Sequence, residues 1–333
     1  MARLRRLSIK GSPRELGRQY GQAFATDIRR NVLAIDPDQI LAERGRLIRH
    51  ALALTEKYFP QYIEEIRGIA EGAEMTFLNV FVYNCPEIRG QFRGCSSIAV
   101  KNNTDLALAH NEDGDQAHSL NDIALIEFKT DQANVTALTY LGELPGNAFG
   151  WNNHGLFFTI NDLLPAKIKL NQVPRHFVAR AVSECQSVGE AVRLLESAYD
   201  ASGFHYFIGS TVDKQIVSVE TAIDKVSVVP VSELAFHTNH YIHANFKTRK
   251  SHSGKSSRLR LKRLKQLLKP PVEIKNLKRI LGDRKNAPWC IYPGDNDANR
   301  TLAAVIINLN PPQVKVYAGG VKNQKPLKLP LFY

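Results

Sequence analysis

Gly94-Cys95-Ser96-Ser97-Ile98-Ala99-Val100, followed by Leu106-Ala107-Leu108-Ala109-His110-Asn111-Glu112-Asp113, is the stretch on which the fold of this chain turns. Both runs are short and apolar, and Asn102-Asn103-Thr104-Asp105 between them favours a tight turn, so residues 97–100 and 106–110 read as an antiparallel hairpin. In such a pair the start of the first strand lies near the end of the second. Cys95 and Asp113 are therefore expected to be neighbours although eighteen positions separate them. A cysteine entering a strand after a glycine has an ordinary reading as a small buried hydrophobe. A nearby carboxylate opens another. If the Gly94–Cys95 bond breaks, Cys95 gains an α-amine of pKa about 8 that can accept its own thiol proton. Asp113 would orient that amine and complement the ammonium formed.

Outward from this hairpin the character of the chain differs on its two sides. Before it, Leu16, Tyr20, Phe24 and Ile28 recur every four residues and predict a helix over 13–35. Further helices are expected over 40–58, from Pro60 through Ile63, Ile66 and Ile69, and over 77–83. After it, strands are expected at 123–128, 135–140, 156–160, 205–210, 215–220, 225–229, 235–237, 302–308 and 314–318. Helices are expected at 175–185, 188–199, 257–268 and 273–281. Strand runs alternating with helix pairs, without a βαβ rhythm, predict a layered α+β architecture. No repeat or long linker divides the 333 residues, so one domain spanning 1–333 is expected.

Composition narrows the class. No run of about 18 apolar residues occurs, so no membrane span is expected. The basic N-terminus lacks the apolar stretch of a signal peptide, and Cys85, Cys95, Cys185 and Cys290 are widely spaced without a C-x-x-C pair. That spacing argues against a disulfide scaffold and a thiolate zinc site, and predicts a reducing, cytoplasmic setting. The net charge of +12 is concentrated in residues 247–285, where fifteen Lys and Arg face only Glu273 and Asp283. That segment reads as a solvated helix face, with Leu261, Leu264 and Leu268 inward and Arg260, Lys262, Arg263 and Lys265 largely elsewhere. Attraction of a polyanionic substrate such as coenzyme A phosphates is the alternative. A third reading is contact with nucleic acid or an anionic membrane, but the segment has no aromatic residue on which single strands could stack, so nucleic acid is not expected as a partner.

Several motifs in order give the chain a family resemblance. Gly11-Ser12-Pro13-Arg14-Glu15-Leu16-Gly17-Arg18-Gln19-Tyr20-Gly21, Gly94-Cys95-Ser96-Ser97, His110-Asn111-Glu112-Asp113, Gly150-Trp151-Asn152-Asn153-His154-Gly155-Leu156 and His237-Thr238-Asn239-His240-Tyr241 stand in sequence. This series resembles the acyl-coenzyme A:6-aminopenicillanic acid acyltransferase family, a branch of the N-terminal-nucleophile hydrolases. The resemblance implies a four-layer αββα sandwich, two antiparallel sheets between helical layers. It also implies self-cleavage between Gly94 and Cys95 into fragments 1–94 and 95–333, with no cofactor and no metal. Cys95 would then form an acyl-enzyme with a linear amide. Hydrolysis is the first reading, and N-acyl transfer with acyl-coenzyme A as co-substrate the second. A catalytically silent relative that binds through its basic face is the reading from another class.

The family pattern assigns Asp113 to the amine and Asn239 to the oxyanion, with Asn152 as a further oxyanion donor and Asn153 as its competitor. Asn152–Gly155 also reads simply as a hairpin turn. His240 is expected to be structural or to contact substrate, and Asn111 to support the Asp113 loop or form a turn. One departure stands out: Ile291 occupies the place of an arginine common in the family. Either Arg300, Arg93 or another cation supplies that charge, or the site does without it. Cys290 is then expected to be a buried strand cysteine without a chemical task, and Cys85 and Cys185 to be equally idle.

Overall fold

The computed structural model describes residues 4–89, 94–163, 165, 168–198, 201–246, 254–294, 297, 299–322, 325–329 and 331. The chain opens with strand β1 (Arg5–Lys10) and continues through helices α1 (Pro13–Ala23), α2 (Ala25–Leu33), α3 (Pro37–Tyr58), α4 (Pro60–Gly72), α5 (Phe77–Tyr83) and α6 (Pro86–Arg89). Strands β2 (Gly94–Lys101), β3 (Leu106–Asp115), β4 (Ile123–Lys129), β5 (Asn134–Tyr140), β6 (Phe149–Asn152) and β7 (Leu156–Asp162) follow. Then come α7 (Arg175–Val182), α8 (Val188–Ser197), β8 (Phe204–Ser210), β9 (Gln215–Ala222), β10 (Lys225–Pro230) and β11 (Leu234–His237). The remainder is α9 (Lys255–Leu267), α10 (Ile274–Leu281), β12 (Asn299–Leu309), β13 (Pro312–Ala318) and β14 (Leu327–Leu329).

Two sheets result, one in the order β1-β4-β5-β6-β7-β8-β9-β10 and the other β11-β2-β3-β12-β13-β14. Because successive strand residues face opposite sides, each sheet can bury both faces. Leu125, Leu138, Trp151, Phe157 and Phe207 of the first sheet meet Leu106, Leu108, Val305 and Ile307 of the second in a middle core. Ile126, Val135, Phe158 and Ile208 point the other way, onto Tyr20, Ile28, Ile66, Ile69 and Phe177 of the helices. Ile98, Val100, Ala109 and Ile306 turn from the middle core to Leu264, Leu268, Leu277 and Ile280 of α9 and α10. These three cores separate four layers, so the αββα expectation describes the molecule.

The structure refines several sequence expectations. The basic N-terminal segment is a strand, and β1 pairs with β4 in parallel, Leu7 beside Ile126 and Ile9 beside Phe128. The helix expected over 13–35 breaks at Phe24, whose φ of −126° leaves the helical range and divides α1 from α2. The short elements α6, β6 and β14 carry too few residues to show a period. The 102–105 turn forms as expected, with Asn102 Oδ1 accepting from the backbone N–H groups of Thr104 and Asp105.

Helices α1 and α4 cross at glycines. A Cβ on Gly17 would lie 2.0 Å from the Glu65 carbonyl oxygen, and one on Gly68 would lie 2.1 Å from that of Arg14. Backbone meets backbone there, which gives Gly17 a packing reason within the N-terminal motif.

Candidate active site

The register of β2 on β3 places Cys95 opposite Glu112, Gly94 opposite Asp113 and Ser97 opposite His110. Alternation then divides the groups between faces. Cys95, Ser97, His110 and Glu112 face the middle of the sandwich, whereas Ser96, Asn111 and Asp113 face α9 and α10. Asp113 is thus the cross-strand neighbour of Gly94 rather than of Cys95. Its Cβ and Oδ2 lie 3.5 and 3.7 Å from where a Gly94 Cβ would be. It flanks the Gly94–Cys95 peptide from the outer face.

On the inner face the Cys95 thiol donates to Glu112 Oε2 at 3.5 Å. Glu112 also meets His110 Nε2 at 3.0 Å and accepts from the Tyr140 hydroxyl at 2.7 Å. Cys95 is only 2% exposed. Burial, reinforced by the negative charges of Glu112, Asp162 and Asp113, holds its thiol well above the ordinary cysteine range against the pull of Arg260. The thiol therefore keeps its proton at neutral pH unless a base takes it. Asp113 is pushed up to about 8, chiefly by burial, against the lowering effects of Arg260 and the Thr301 hydroxyl that donates to it at 2.8 Å.

Asn239 joins the site from the loop after β11. Its Oδ1 accepts the Cys95 backbone N–H at 2.9 Å, and its Nδ2 donates to the Asp162 carbonyl at 3.1 Å. Its Oδ1 also accepts from Arg260 at 2.7 Å. Arg260 corrects the reading of its segment. On α9 it is 3% exposed, and it donates to the Cys95 carbonyl and to Ser96 Oγ, the latter at 3.0 Å. It is a cation beside Cys95 that the sequence reading did not name. Arg300 instead turns towards Gln116 Oε1 at 3.4 Å, and Arg93 lies outside the described residues. Ile291 is part of the core between sheet and helices.

Asn152 does not join Cys95. Its Nδ2 donates to the carbonyls of Ser183 and Cys185, and its Oδ1 accepts from the N–H groups of His154 and Leu156. Neighbouring Leu156 begins β7, whereas the site meets the other end of that strand at Asn161 and Asp162, about 20 Å away by strand rise. Asn152 organises the hairpin turn, with Asn153 Oδ1 accepting from the Asn134 N–H beside it. The asparagine that does reach the inner face is Asn161. It is fully buried and accepts from the Ser97 hydroxyl at 2.7 Å, and its Nδ2 has no hydrogen-bond partner. The sequence signal for it was faint, a polar residue closing the apolar run of β7.

The remaining sequence candidates have structural positions. Asn111 is buried within β3, and its Nδ2 bridges the carbonyls of Leu281 and Ile291, so it pins α10 rather than forming a turn. His240 Nδ1 meets Ser257 Oγ at 2.7 Å, and burial lowers its pKa to about 4. Cys85, Cys185 and Cys290 are buried, but Cys290 lies in a bend before β12, not in a strand. Deeper in the sandwich, His205 stacks on His237 at 3.6 Å, and His205 Nδ1 lies 3.1 Å from Asn161 Oδ1. Just upstream of the hairpin, α6 is anchored by a buried Arg89–Glu143 pair at 2.9 Å and by the Ser202 hydroxyl on Glu87 at 2.7 Å. No helix among the described residues is long and apolar enough to cross a membrane.

The model of a family described as acyl-coenzyme A:6-aminopenicillanic acid acyl-transferase matches residues 100–323. The chain is 25% identical to the beta-alanyl-dopamine/carcinine hydrolase of Drosophila melanogaster, over 98% of this chain and 96% of that protein. It is 26% identical to the 40 kDa form of acyl-coenzyme A:6-aminopenicillanic-acid-acyltransferase of Emericella nidulans, over 57% of this chain and 56% of that one. Among solved structures, the conjugated bile acid hydrolase of Clostridium perfringens is a distant likeness, with a TM-score of 0.44 and 12% identity. It covers 71% of this chain and 92% of that one.

Proposed function

Because the chain belongs to the acyl-coenzyme A:6-aminopenicillanic acid acyltransferase family, an enzyme family of hydrolases and acyltransferases, we propose that it is a self-activating cysteine amidohydrolase. The observation that carries the reading is the Cys95 backbone nitrogen held 2.9 Å from Asn239 Oδ1, with Asp113 beside Gly94 and Arg260 on the Cys95 carbonyl. In the precursor the Cys95 sulfur attacks the Gly94 carbonyl carbon, the C–N bond breaks, and the acyl group moves from nitrogen to sulfur. Water then hydrolyses the thioester and leaves Cys95 with a free α-amine. Glycine before the cut tolerates the distorted backbone that this attack requires.

In the mature enzyme the amine takes the thiol proton, and Asn239 Oδ1 is placed to hold it. Asp113 offers a countercharge to the resulting ammonium. Arg260 fixes Asn239 and the Cys95 carbonyl together, so it is a positioning residue for both steps. Asn161 Nδ2, buried and unpartnered on the thiol's side of the sheet, is the better-placed oxyanion donor, and removal of such a donor costs about 10²–10³ in kcat. Asn239 then serves mainly to hold the nitrogen of residue 95.

The substrate is a linear amide of small size, and no cofactor enters these steps. N-β-alanyl amines are the first class to test, because the relative matched along nearly the whole chain is named for such substrates. Transfer to an amine from acyl-coenzyme A is the second reading, supported by the partial match to an acyltransferase. Intact mass of the purified protein tests self-cleavage. Wild type should give two chains ending and beginning at Gly94 and Cys95, and Cys95→Ala a single chain. Uncut wild-type protein without thiol-dependent amide turnover would overturn the proposal. With amide donors and added amines, free acid outpacing N-acyl product supports hydrolysis, and the reverse supports transfer.

A further inference from the structure

The inner face of the site contains more than the amine-based mechanism uses. Cys95, His110 and Glu112 present Sγ, Nε2 and a carboxylate oxygen that all lie within 4.8 Å of one another, and all three residues are buried. Sγ is 3.5 Å from Glu112 Oε2, which is 3.0 Å from His110 Nε2. Ligands at about 2.0 Å for nitrogen and oxygen and about 2.3 Å for sulfur, set tetrahedrally on zinc, stand at such separations.

The partners behind these atoms hold them in place. The single Ser97 hydroxyl proton points to Asn161 Oδ1 at 2.7 Å, so at the 2.7 Å contact between Ser97 Oγ and His110 Nδ1 the histidine must donate. Nε2 is then left with its lone pair towards Glu112, and the 3.0 Å contact between them requires a shared proton. Glu112 Oε1 is fixed separately by Tyr140. The Ser97 hydroxyl behind the imidazole and the Tyr140 phenol behind the carboxylate form an outer shell of the kind that tunes protein metal sites.

We propose that Cys95, His110 and Glu112 form an inhibitory binding site for a divalent, thiophilic cation of the zinc class. Binding forms M–S, M–N and M–O bonds and releases two protons, one from the thiol and one from between His110 and Glu112. Charge balances: a neutral thiol and a neutral His–H–Glu pair give way to a 2+ ion with one thiolate and one carboxylate, so the buried site stays neutral. The fourth position is left to water. This is a single-thiolate site assembled across two strands, which cysteine spacing in the sequence does not reveal. The binding stands on this geometry alone, whereas its inhibitory effect rests on Cys95 being the nucleophile.

Cobalt titration of the full-length protein tests it. One equivalent of Co²⁺ should produce a thiolate-to-cobalt charge-transfer band and tetrahedral d–d absorption, both bleached by Zn²⁺. The band should vanish in Cys95→Ala, and the affinity should fall at least about 10-fold in His110→Gln and in Glu112→Gln. Ser97→Ala, which removes only the outer hydrogen bond, should weaken binding about 10–100-fold and covers the case in which an inner variant does not fold. Stoichiometric zinc inhibition reversed by a chelator would extend the finding to catalysis. A charge-transfer band with unchanged affinity in the His110, Glu112 and Ser97 variants, or none in wild type, would overturn the site. A protein that shows the band but stays uncut and turns over no amide would keep the site and refute the nucleophile assignment.

Discussion

Asp113 carries the clearest consequence at the scale of a single residue. Its carboxyl titrates at about 8 in the uncut chain because it is buried, against about 4 in an unfolded one. The native state therefore binds a proton that the unfolded state has released between those values. The stability this proton contributes is fully present below pH 4 and is lost as pH rises through 8. Uncut Cys95→Ala protein should accordingly lose more stability between pH 5 and pH 8 than Cys95→Ala/Asp113→Asn. The difference, on the order of a few kcal/mol, is readable from urea midpoints; equal slopes would contradict the burial argument. At this scale the sequence brings Cys95, Asp113 and Asn239 together, because hairpin register and motif order both point there. It does not single out Arg260, which is one of fifteen basic residues on a segment whose leucines suggest a plain amphipathic face. Nor does it separate Asn161 from Asn152, because both close apolar runs and only the direction of β7 shows which end meets the thiol.

Among elements, α9 and the α1–α4 pair do the positioning. Leu264, with Leu268 just past the helix end, seats α9 on the second sheet, and this seat brings Arg260 to Cys95 while Arg258, Lys262, Lys265 and Lys269 remain exposed. The basic segment thus combines a solvated face with a site residue. The crossing of α1 and α4 admits no side chain at its closest points. Gly68→Ala would drive a methyl group into the Arg14 carbonyl, and it should cost at least about 1–3 kcal/mol. Gly45→Ala on half-exposed α3 should instead stabilise by about 0.4–1 kcal/mol, since its Cβ would meet only the tip of Arg49 at 3.4 Å. Urea midpoints of the two variants should move in opposite directions. Strand and helix positions were largely readable from periodicity. The break at Phe24 was not, because the apolar four-residue spacing continues across it.

For the molecule as a whole, the α+β pattern was legible because helices precede Gly94 and strands follow it. The role of residues 5–10 was not: alternating Arg5 to Lys10 are too polar to announce a strand, and only β4 alongside gives them their partner. That strand ties the beginning of the chain into a sheet built otherwise from residues beyond Gly94. Buried pairs such as Arg180 with Glu65 at 3.0 Å and Tyr62 with Glu184 at 2.6 Å add to the tie. If the Gly94–Cys95 bond is cut as proposed, neither portion can leave without dismantling the common core, so both should travel as one particle under native conditions. Refolding would tell the two forms apart. After denaturation the nicked protein must find its other half by collision, so its recovery should rise with protein concentration, whereas the Cys95→Ala chain should renature at a rate independent of it. A mature enzyme, on this view, carries no route back to its own fold at high dilution.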